Sequence, residues 1–194
     1  MHHSLTWLRD QFEKYSLKRA PAGEFFTLAS GKKSSFYFDV KRTAQRGEVV
    51  EEMARALKTE ARAMPKAGAV AGVVLGGCHL ATLLSTAVYG HPLDVIYVRK
   101  EPKEHGTGNL VEAPAPGEGP TSASEGVIVV EDVFTTGGSS RKAIEALTNA
   151  AYPVKGLLVV LDRRRPEDRT DTFEGVPLHS IFKLEDFGLV EDAG

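Results

Sequence analysis

Four short apolar segments constrain the fold of this chain more than any other feature of its sequence. They are AVAGVVL, DVIYV, VIVVE and GLLVVL, at residues 69–75, 94–98, 127–131 and 156–161. Each is rich in β-branched residues and too short for a buried helix, so each predicts a strand that is covered on both faces. Helical patterns at 78–89 and 138–150 lie between them. Strands that alternate with helices predict an α/β fold with a mainly parallel sheet, and a ligand crevice beyond the carboxyl ends of its strands.

The segments before the first of these strands also show clear patterns. Apolar residues spaced three to four apart predict an amphipathic helix over 4–16, with Ser4 as its N-cap, and another over 47–63. The apolar stripe of the second helix consists of Val50, Met53, Ala54, Leu57 and Ala61. Between the helices, segment 25–40 has aromatic and β-branched residues around a Ser-Gly pair, which predicts two short strands with a tight connection.

The composition excludes several classes of function. With 194 residues, of which 42% are hydrophobic, the chain is expected to form a single domain, spanning 1–194, around one core. Its formal net charge of -2 provides no overall positive field for nucleic acid or an anionic membrane, so neither partner is expected. Cys78 is the only cysteine, which excludes an internal disulfide and a cysteine-rich metal cluster. No segment has the pattern of a secretory leader or a membrane span, so a cytoplasmic location is expected.

The segment VIVVEDVFTTGGSS, at 127–140, carries the strongest chemical signal. It predicts a buried strand that runs through a Thr-Thr-Gly-Gly turn into a helix. The paired glycines let the backbone approach a phosphate closely. The N–H groups at the helix start, and the hydroxyls of Thr135, Thr136 and Ser139, provide hydrogen-bond donors for its oxygens. This order of residues predicts a site for the 5′-phosphate of a sugar phosphate.

Two carboxylates, Glu131 and Asp132, end the predicted strand. They are suited to accept hydrogen bonds from the 2′ and 3′ hydroxyls of a ribose and to orient a hydrated Mg²⁺. An ordinary strand-turn-helix unit does not account for adjacent acids followed by hydroxyls, and no Gly-Lys-Ser/Thr follows at the spacing of a P-loop. Across its 14 positions the segment resembles the motif of the type I phosphoribosyltransferases that binds 5-phospho-α-D-ribose 1-diphosphate (PRPP).

The resemblance implies a type I phosphoribosyltransferase fold, with a mainly parallel sheet flanked by helices, a small N-terminal hood and a long flexible catalytic loop. The hood takes up about residues 1–45 plus the C-terminal segment, and the core about 46–175. Mg²⁺ is implied as the cofactor, held through PRPP and water near the two acids and without direct protein ligands. The implied PRPP contacts in this segment are Glu131, Asp132, Val133, Phe134, Thr135, Thr136, Gly137, Gly138 and Ser139.

A second signal is the basic segment VRKEPKEHGTG, at 98–108. It opens a connection, 100–126, whose prolines and glycines are typical of a lid or a binding loop. A solvated charge run is the alternative, but cations near a phosphate site would stabilise pyrophosphate as it leaves. The segment is similar to the catalytic loop of the orotate phosphoribosyltransferases, which implies that Lys103 and His105 act in catalysis together with Asp132. The PRPP contacts implied in this loop are Arg99, Lys100, Lys103 and His105. The likeness also implies a homodimer in which the loop of one subunit completes the active site of the other.

Two further segments resemble the part of this family that binds the base. FTLASGKKSSFYFD, at 26–39, is similar to the hood, which implies that Tyr37 and Phe38 lie against the pyrimidine; packing in the core is the alternative. LDRRRPED, at 161–168, is similar to a Leu-Asp-Arg turn, which implies that Arg163 pairs with the carboxylate of orotate.

Several nearby positions complete the expectation. Thr135 is implied to contact the base as well, whereas Arg164 and Arg165 are expected on the surface. Ala29 and Gly76 stand where many members of the family carry a lysine. These two departures leave open how tightly pyrophosphate is held, and the backbone N–H groups of Gly76 and Gly77 could still contact it.

Together the motifs imply an orotate phosphoribosyltransferase, a glycosyltransferase of pyrimidine biosynthesis that forms orotidine 5′-monophosphate and pyrophosphate from orotate and PRPP. A purine phosphoribosyltransferase is the first alternative, and it would share 127–140 but lack the basic loop and the Leu-Asp-Arg turn. A PRPP-sensing regulator without catalysis is the second, and it would carry a nucleic-acid-binding module or a basic face. Neither of those is visible in the sequence.

Overall fold

The computed structural model describes residues 4–27, 31, 33–86, 88–101, 110–114 and 125–190. It begins with helix α1 (Leu5–Tyr15), and the side chain of its N-cap Ser4 accepts a hydrogen bond from the backbone N–H of Trp7 at 3.2 Å. The predicted first helix and its cap are therefore confirmed.

Four short strands and two helices lead from α1 to the core. They are β1 (Leu17–Arg19), β2 (Phe26–Thr27), β3 (Lys33–Ser34), β4 (Phe36–Phe38), α2 (Val40–Ala44) and α3 (Gly47–Arg62). Strand β2 pairs with β3, and β1 with β4, both in antiparallel fashion. The β2–β3 hairpin confirms the two short strands that were predicted around the Ser-Gly pair.

Seven of the described strands form one sheet. These strands and the helices between them are β5 (Ala69–Val73), α4 (Gly76–Ser85), β6 (Asp94–Val98), β7 (Val111–Glu112), β8 (Val127–Phe134), α5 (Gly138–Asn149), β9 (Val154–Asp162), β10 (Thr172–Phe173) and β11 (Val176–Lys183). Their order is β10-β11-β9-β8-β5-β6-β7. The five inner strands run parallel, and β10 and β7 pair antiparallel at the two edges. The predicted α/β fold with a mainly parallel sheet is confirmed.

Both faces of the sheet are covered, which explains why the central strands are apolar throughout. Along β8, Ile128 and Val130 belong to one apolar cluster, with residues of α1, α3 and α4. Val127 and Val129 belong to a second cluster, with residues of α5. Successive side chains of a strand point to opposite faces. A strand between two helical layers therefore needs an apolar residue at every position.

Parts of the sheet and of α3 differ from the sequence prediction. Strand β11 was not predicted, because Pro177, His179 and Ser180 interrupt its apolar pattern. The short edge strands β7 and β10 were not predicted either. The buried stripe of α3 begins at Val49 instead of Val50. The division of the chain into hood and core stays a prediction.

Within the described ranges, no helix combines the length and apolar character needed to span a membrane.

Candidate active site

The predicted phosphate cradle lies where β8 ends and α5 begins. A pocket of about 160 Å³ is lined there by Glu131, Val133, Thr135, Thr136, Gly137, Gly138 and Ser139. Because α5 starts at Gly138, the N–H groups of its first turn have no partners within the helix and are available to an anion. The structure therefore brings seven of the predicted PRPP contacts together around one small polar pocket.

Gly137 gives the cradle its tight turn. It is the N-cap of α5 and has a left-handed backbone conformation, with φ of +76°. A Cβ atom at this position would lie 2.6 Å from Cε2 of Phe173 and 2.8 Å from Cζ of Phe134, which is closer than carbon atoms pack. Both the dihedral angle and the available space therefore require glycine here.

The ring of Phe134 packs in the core next to the turn at Gly137. It is almost fully buried and packs edge-on against Phe173, with 4.9 Å between the ring centres. Phe134 was among the predicted PRPP contacts, but its side chain is in the core and does not line the pocket. Any contact with PRPP at this position would involve the backbone.

The first carboxylate of the acidic pair is buried. Glu131 is 6% exposed, and the hydroxyl of Ser140, on α5, donates a hydrogen bond to its Oε2. Burial raises the pKa of Glu131 to about 7, and the hydrogen bond from Ser140 and the charge of Lys100 only partly offset this effect. Glu131 is therefore divided between its protonated and ionised forms near neutral pH.

The second carboxylate, Asp132, is partly exposed at the strand end. Its Oδ1 accepts the backbone N–H of Val133 at 3.0 Å, and its Oδ2 lies 3.6 Å from Nζ of Lys41, on α2. The same Nζ lies 2.9 Å from Oδ1 of Asp39. At the start of α4, a Cβ atom on Gly76 would lie 2.7 Å from Oδ1 of Asp132. A side chain at Gly76 would therefore displace Asp132 in this structure.

A larger cleft of about 620 Å³ lies beside the cradle. It is lined by Val73, Val98, Arg99, Lys100, Gly138, Ser139, Lys142 and Ala143. The guanidinium of Arg99 pairs with Glu112 of β7 at 3.0 Å. Lys142, on α5, is a further cation at this cleft that the sequence analysis did not predict. The predicted catalytic residues Lys103 and His105 lie outside the described residues.

Arg163 directly follows β9, the strand next to the cradle. Its backbone N–H donates to the carbonyl of Phe134 at 2.8 Å, so the turn that contains Arg163 is tied to the end of β8. Arg163 is 5% exposed, and its guanidinium lies 4.8 Å from the ring centre of Phe36. Stacking on an aromatic ring orients the planar guanidinium group.

The two predicted aromatic contacts of the base have different surroundings. Tyr37 is 40% exposed, and its ring lies 6.1 Å from that of Phe26. Phe38 is 5% exposed and packs against Phe12 and Phe187, with ring centres 6.1 and 5.0 Å apart. Phe38 was expected to lie against the pyrimidine; its ring packs in the core, because β4 turns alternate residues inward, and its contact with the base stays a prediction.

The two arginines after Arg163 also differ from each other. Arg164 was expected on the surface, but its guanidinium pairs with the buried Asp162 at 2.8 Å and lies 4.9 Å from the ring centre of Phe134. Arg165 is exposed, as expected, and pairs with Asp168 at 2.8 Å. The difference arises because Asp162 is almost inaccessible to solvent and needs a positive partner.

Lys41 and His79 are the residues near Asp132 that sequence reasoning missed. In the described part of the chain, Nε2 of His79 is buried and has no hydrogen-bond partner. Burial lowers the pKa of His79, whereas the charge of Asp132 acts in the opposite direction. No local motif marks either residue, because both lie on elements that are distant from Asp132 in the sequence.

The donor groups at the strand end fit a magnesium ion that retains most of its water. Among the described residues, no group of three His, Cys, Asp or Glu side chains is arranged to hold a metal ion. Glu131 is buried against Ser140, and Asp132 is paired with Lys41. Mg²⁺ typically binds through one or two carboxylates, water and the phosphates of its substrate. The two acids would therefore hold such an ion mainly through water.

Comparisons with known proteins agree with this geometry. The model of the phosphoribosyl transferase domain family matches residues 39–191. The orotate phosphoribosyltransferase of Sorangium cellulosum is 38% identical over 162 residues, which cover 82% of both chains. That of Bradyrhizobium diazoefficiens is 39% identical over 165 residues, covering 83% of this chain and 86% of the relative.

A solved structure supports the same assignment. The crystal structure of Mycobacterium tuberculosis orotate phosphoribosyltransferase in complex with PRPP superposes with a TM-score of 0.71 at 28% identity, and the match covers 95% of this chain and 99% of that one. From the family match, the curated relatives and the shared fold, we conclude that the chain belongs to the phosphoribosyl transferase domain family, among the orotate phosphoribosyltransferases.

Proposed function

We propose that the protein transfers the phosphoribosyl group of PRPP to orotate, giving orotidine 5′-monophosphate and pyrophosphate. The observation that carries this proposal is that the cradle at the end of β8 and Arg163 after β9 are joined by the 2.8 Å hydrogen bond from the Arg163 N–H to the Phe134 carbonyl. A site for a sugar phosphate and a planar cation suited to a carboxylate are thus neighbours at the carboxyl ends of β8 and β9.

The cradle would bind the 5′-phosphate of PRPP. The hydroxyls of Thr135, Thr136 and Ser139, with the N–H groups at the start of α5, would donate hydrogen bonds to its oxygens. Glu131 and Asp132 would accept hydrogen bonds from the ribose hydroxyls. Bound in this way, PRPP would have C1 of its ribose towards the cleft that Arg99 and Lys100 line.

The reaction forms a bond from N1 of orotate to C1 of the ribose and breaks the bond from C1 to the pyrophosphate oxygen. The bonding electrons leave with pyrophosphate, so negative charge grows there while positive charge develops on the ribosyl ring. N1 of orotate is deprotonated before it attacks, so the chain needs to orient the two substrates and to stabilise charge. Arg163 would hold the carboxylate of orotate, and Thr135 and Tyr37 would contact its ring.

The cations beside the cradle would stabilise the leaving group. Arg99 and Lys100 line the cleft, and Lys103 and His105 are assigned to the same task by their motif. Glu131 and Asp132 would hold Mg²⁺ through water, and the bound ion would neutralise charge on the pyrophosphate. We also propose the cytoplasmic location that was expected from the sequence, which cell fractionation would test.

The proposal is tested by measuring pyrophosphate release from PRPP with orotate, uracil, adenine, hypoxanthine and xanthine in parallel. We expect release with orotate and none with the three purines. Activity with a purine and none with orotate would instead identify a purine phosphoribosyltransferase. PRPP binding without turnover of any base would support a PRPP-sensing regulator.

We further propose that the working unit is a symmetric homodimer in which the loop at 98–108 completes the active site of the partner subunit. Two inactive variants, Lys103→Ala and Asp132→Asn, are unfolded and refolded as an equal mixture. Random pairing makes about half of the dimers mixed. If the loop acts in trans, each mixed dimer has one intact site, so activity should recover to about a quarter of the wild-type value. Recovery no greater than that of the separate variants would show that each loop serves its own subunit.

A further inference from the structure

Lys41 connects two carboxylates that come from different parts of the chain. Asp39 is the N-cap of α2, and its Oδ1 accepts the backbone N–H of Lys41 at 3.2 Å as well as lying 2.9 Å from Nζ. The same Nζ lies 3.6 Å from Oδ2 of Asp132, at the end of β8. One ammonium group therefore bridges the hood segment and the acidic pair of the cradle.

The bridge is partly shielded from solvent, so salt screens it less than a fully exposed ion pair. The side chains of Lys41, Asp39 and Asp132 are 35%, 19% and 22% exposed. Burial lowers the pKa of Lys41, but the hydrogen bond to Asp39 and the charge of Asp132 outweigh it, and the net shift is upward. Lys41 is therefore a full positive charge at any pH at which the enzyme would work.

Besides its contact with Lys41, the carboxylate of Asp132 accepts a hydrogen bond from the backbone N–H of Val133 at 3.0 Å. On one side, the backbone at Gly76 lies so close that a Cβ there would be 2.7 Å from Oδ1. His79 lies nearby, but burial lowers its pKa, so at neutral pH it provides no positive charge to replace that of Lys41. With Lys41 removed, Asp39 and Asp132 would face each other without the cation between them.

We propose that Lys41 is a positioning residue that holds the Asp132 carboxylate in the orientation needed to accept hydrogen bonds from the ribose of PRPP. This inference rests on the proposed function. It assigns to the hood a direct part in shaping the PRPP site. Lys41 acts through Asp132, so its removal should affect PRPP and leave orotate largely unaffected.

A double-mutant cycle tests this. The Kd of PRPP is measured by titration calorimetry for the wild type, Lys41→Met, Asp132→Asn and the double variant. Losing the partner of a charge-assisted contact should weaken PRPP binding about tenfold in the wild-type background. If Lys41 acts through Asp132, the same substitution in the Asp132→Asn background should change the Kd by less than about twofold.

Further measurements separate positioning from a general structural effect. Lys41→Arg should restore most of the PRPP affinity because it keeps the charge, and the KM for orotate should stay within about twofold in Lys41→Met. Lys66→Met, which removes an exposed lysine before β5, should leave both substrates unaffected. If Lys41→Met does not fold, Lys41→Gln takes its place in the cycle.

Three results would overturn the inference. They are unchanged PRPP affinity in Lys41→Met, an equal loss of PRPP affinity in both backgrounds, and a rise in the KM for orotate as large as the rise in the Kd of PRPP. The outcome is separable from the proposed function, because a wild-type protein that binds no PRPP would refute the proposed function itself.

Discussion

Replacing Gly137 with alanine tests whether the cradle depends on the tight turn between β8 and α5. Left-handed backbone costs a residue with a Cβ about 1–2 kcal/mol. The new Cβ would also lie 2.6 Å from Phe173 and 2.8 Å from Phe134, and relief of such overlap in a packed site typically costs about 1–3 kcal/mol more. We expect Gly137→Ala to lower the free energy of unfolding by both contributions and to weaken PRPP binding at least about tenfold, because the rings of Phe134 and Phe173 next to the turn must shift.

Gly175 provides a matched control. Its φ is +77°, nearly the same as that of Gly137, but no atom lies within 4 Å of the position its Cβ would take. Gly175→Ala should therefore cost only the backbone contribution of about 1–2 kcal/mol and leave PRPP binding unchanged. Urea unfolding and titration calorimetry measure the two quantities. Equal destabilisation by the two substitutions, or unchanged PRPP affinity in Gly137→Ala, would refute the reasoning.

Three other predictions concern single side chains of the site. The folded-state pKa of Glu131, about 7, lies above its ordinary value of 4.5, so its contribution to the free energy of unfolding should decline by up to about 3 kcal/mol as pH rises between those values. Glu131→Gln should abolish that part of the pH dependence, which urea titrations at pH 5 and 8 measure. The same pH dependence in the variant and the wild type would contradict this. Arg163→Ala should raise the KM for orotate about 10- to 100-fold with little change for PRPP, whereas the exposed Arg165→Ala should change neither; a shift confined to PRPP would exclude the assignment. Asp132→Asn should reduce kcat about 100-fold while the free energy of unfolding changes by less than about 1 kcal/mol, and matched losses of stability and activity would show a structural role instead.

The fold was predictable where the sequence pattern is local and complete. The run at 127–130 is apolar at every position because helices cover both faces of β8, and a short continuous apolar run of this kind predicts a buried strand. Strand β11 has no such pattern. His179 is only partly buried and contacts Glu60 of α3 at 3.2 Å, so polar residues occur within a strand of the sheet.

The site was predictable to the extent that it comes from one contiguous segment. Glu131 to Ser139 span a single strand end and turn, so their order alone indicates a phosphate cradle. Lys41 reaches Asp132 only because α2 folds over the end of β8, and no spacing rule encodes that contact. The strand β4 shows a related limit: Phe36 and Phe38 share its inner face, and tertiary packing places the ring of Phe36 against Arg163.

The most direct measurement of the central claim is identification of the reaction products by mass spectrometry after incubation with PRPP, Mg²⁺ and orotate. We predict orotidine 5′-monophosphate and pyrophosphate in equal amounts, with neither formed when orotate is omitted. PRPP that stays intact in the presence of orotate, or is consumed only when a purine is supplied, would contradict the assignment.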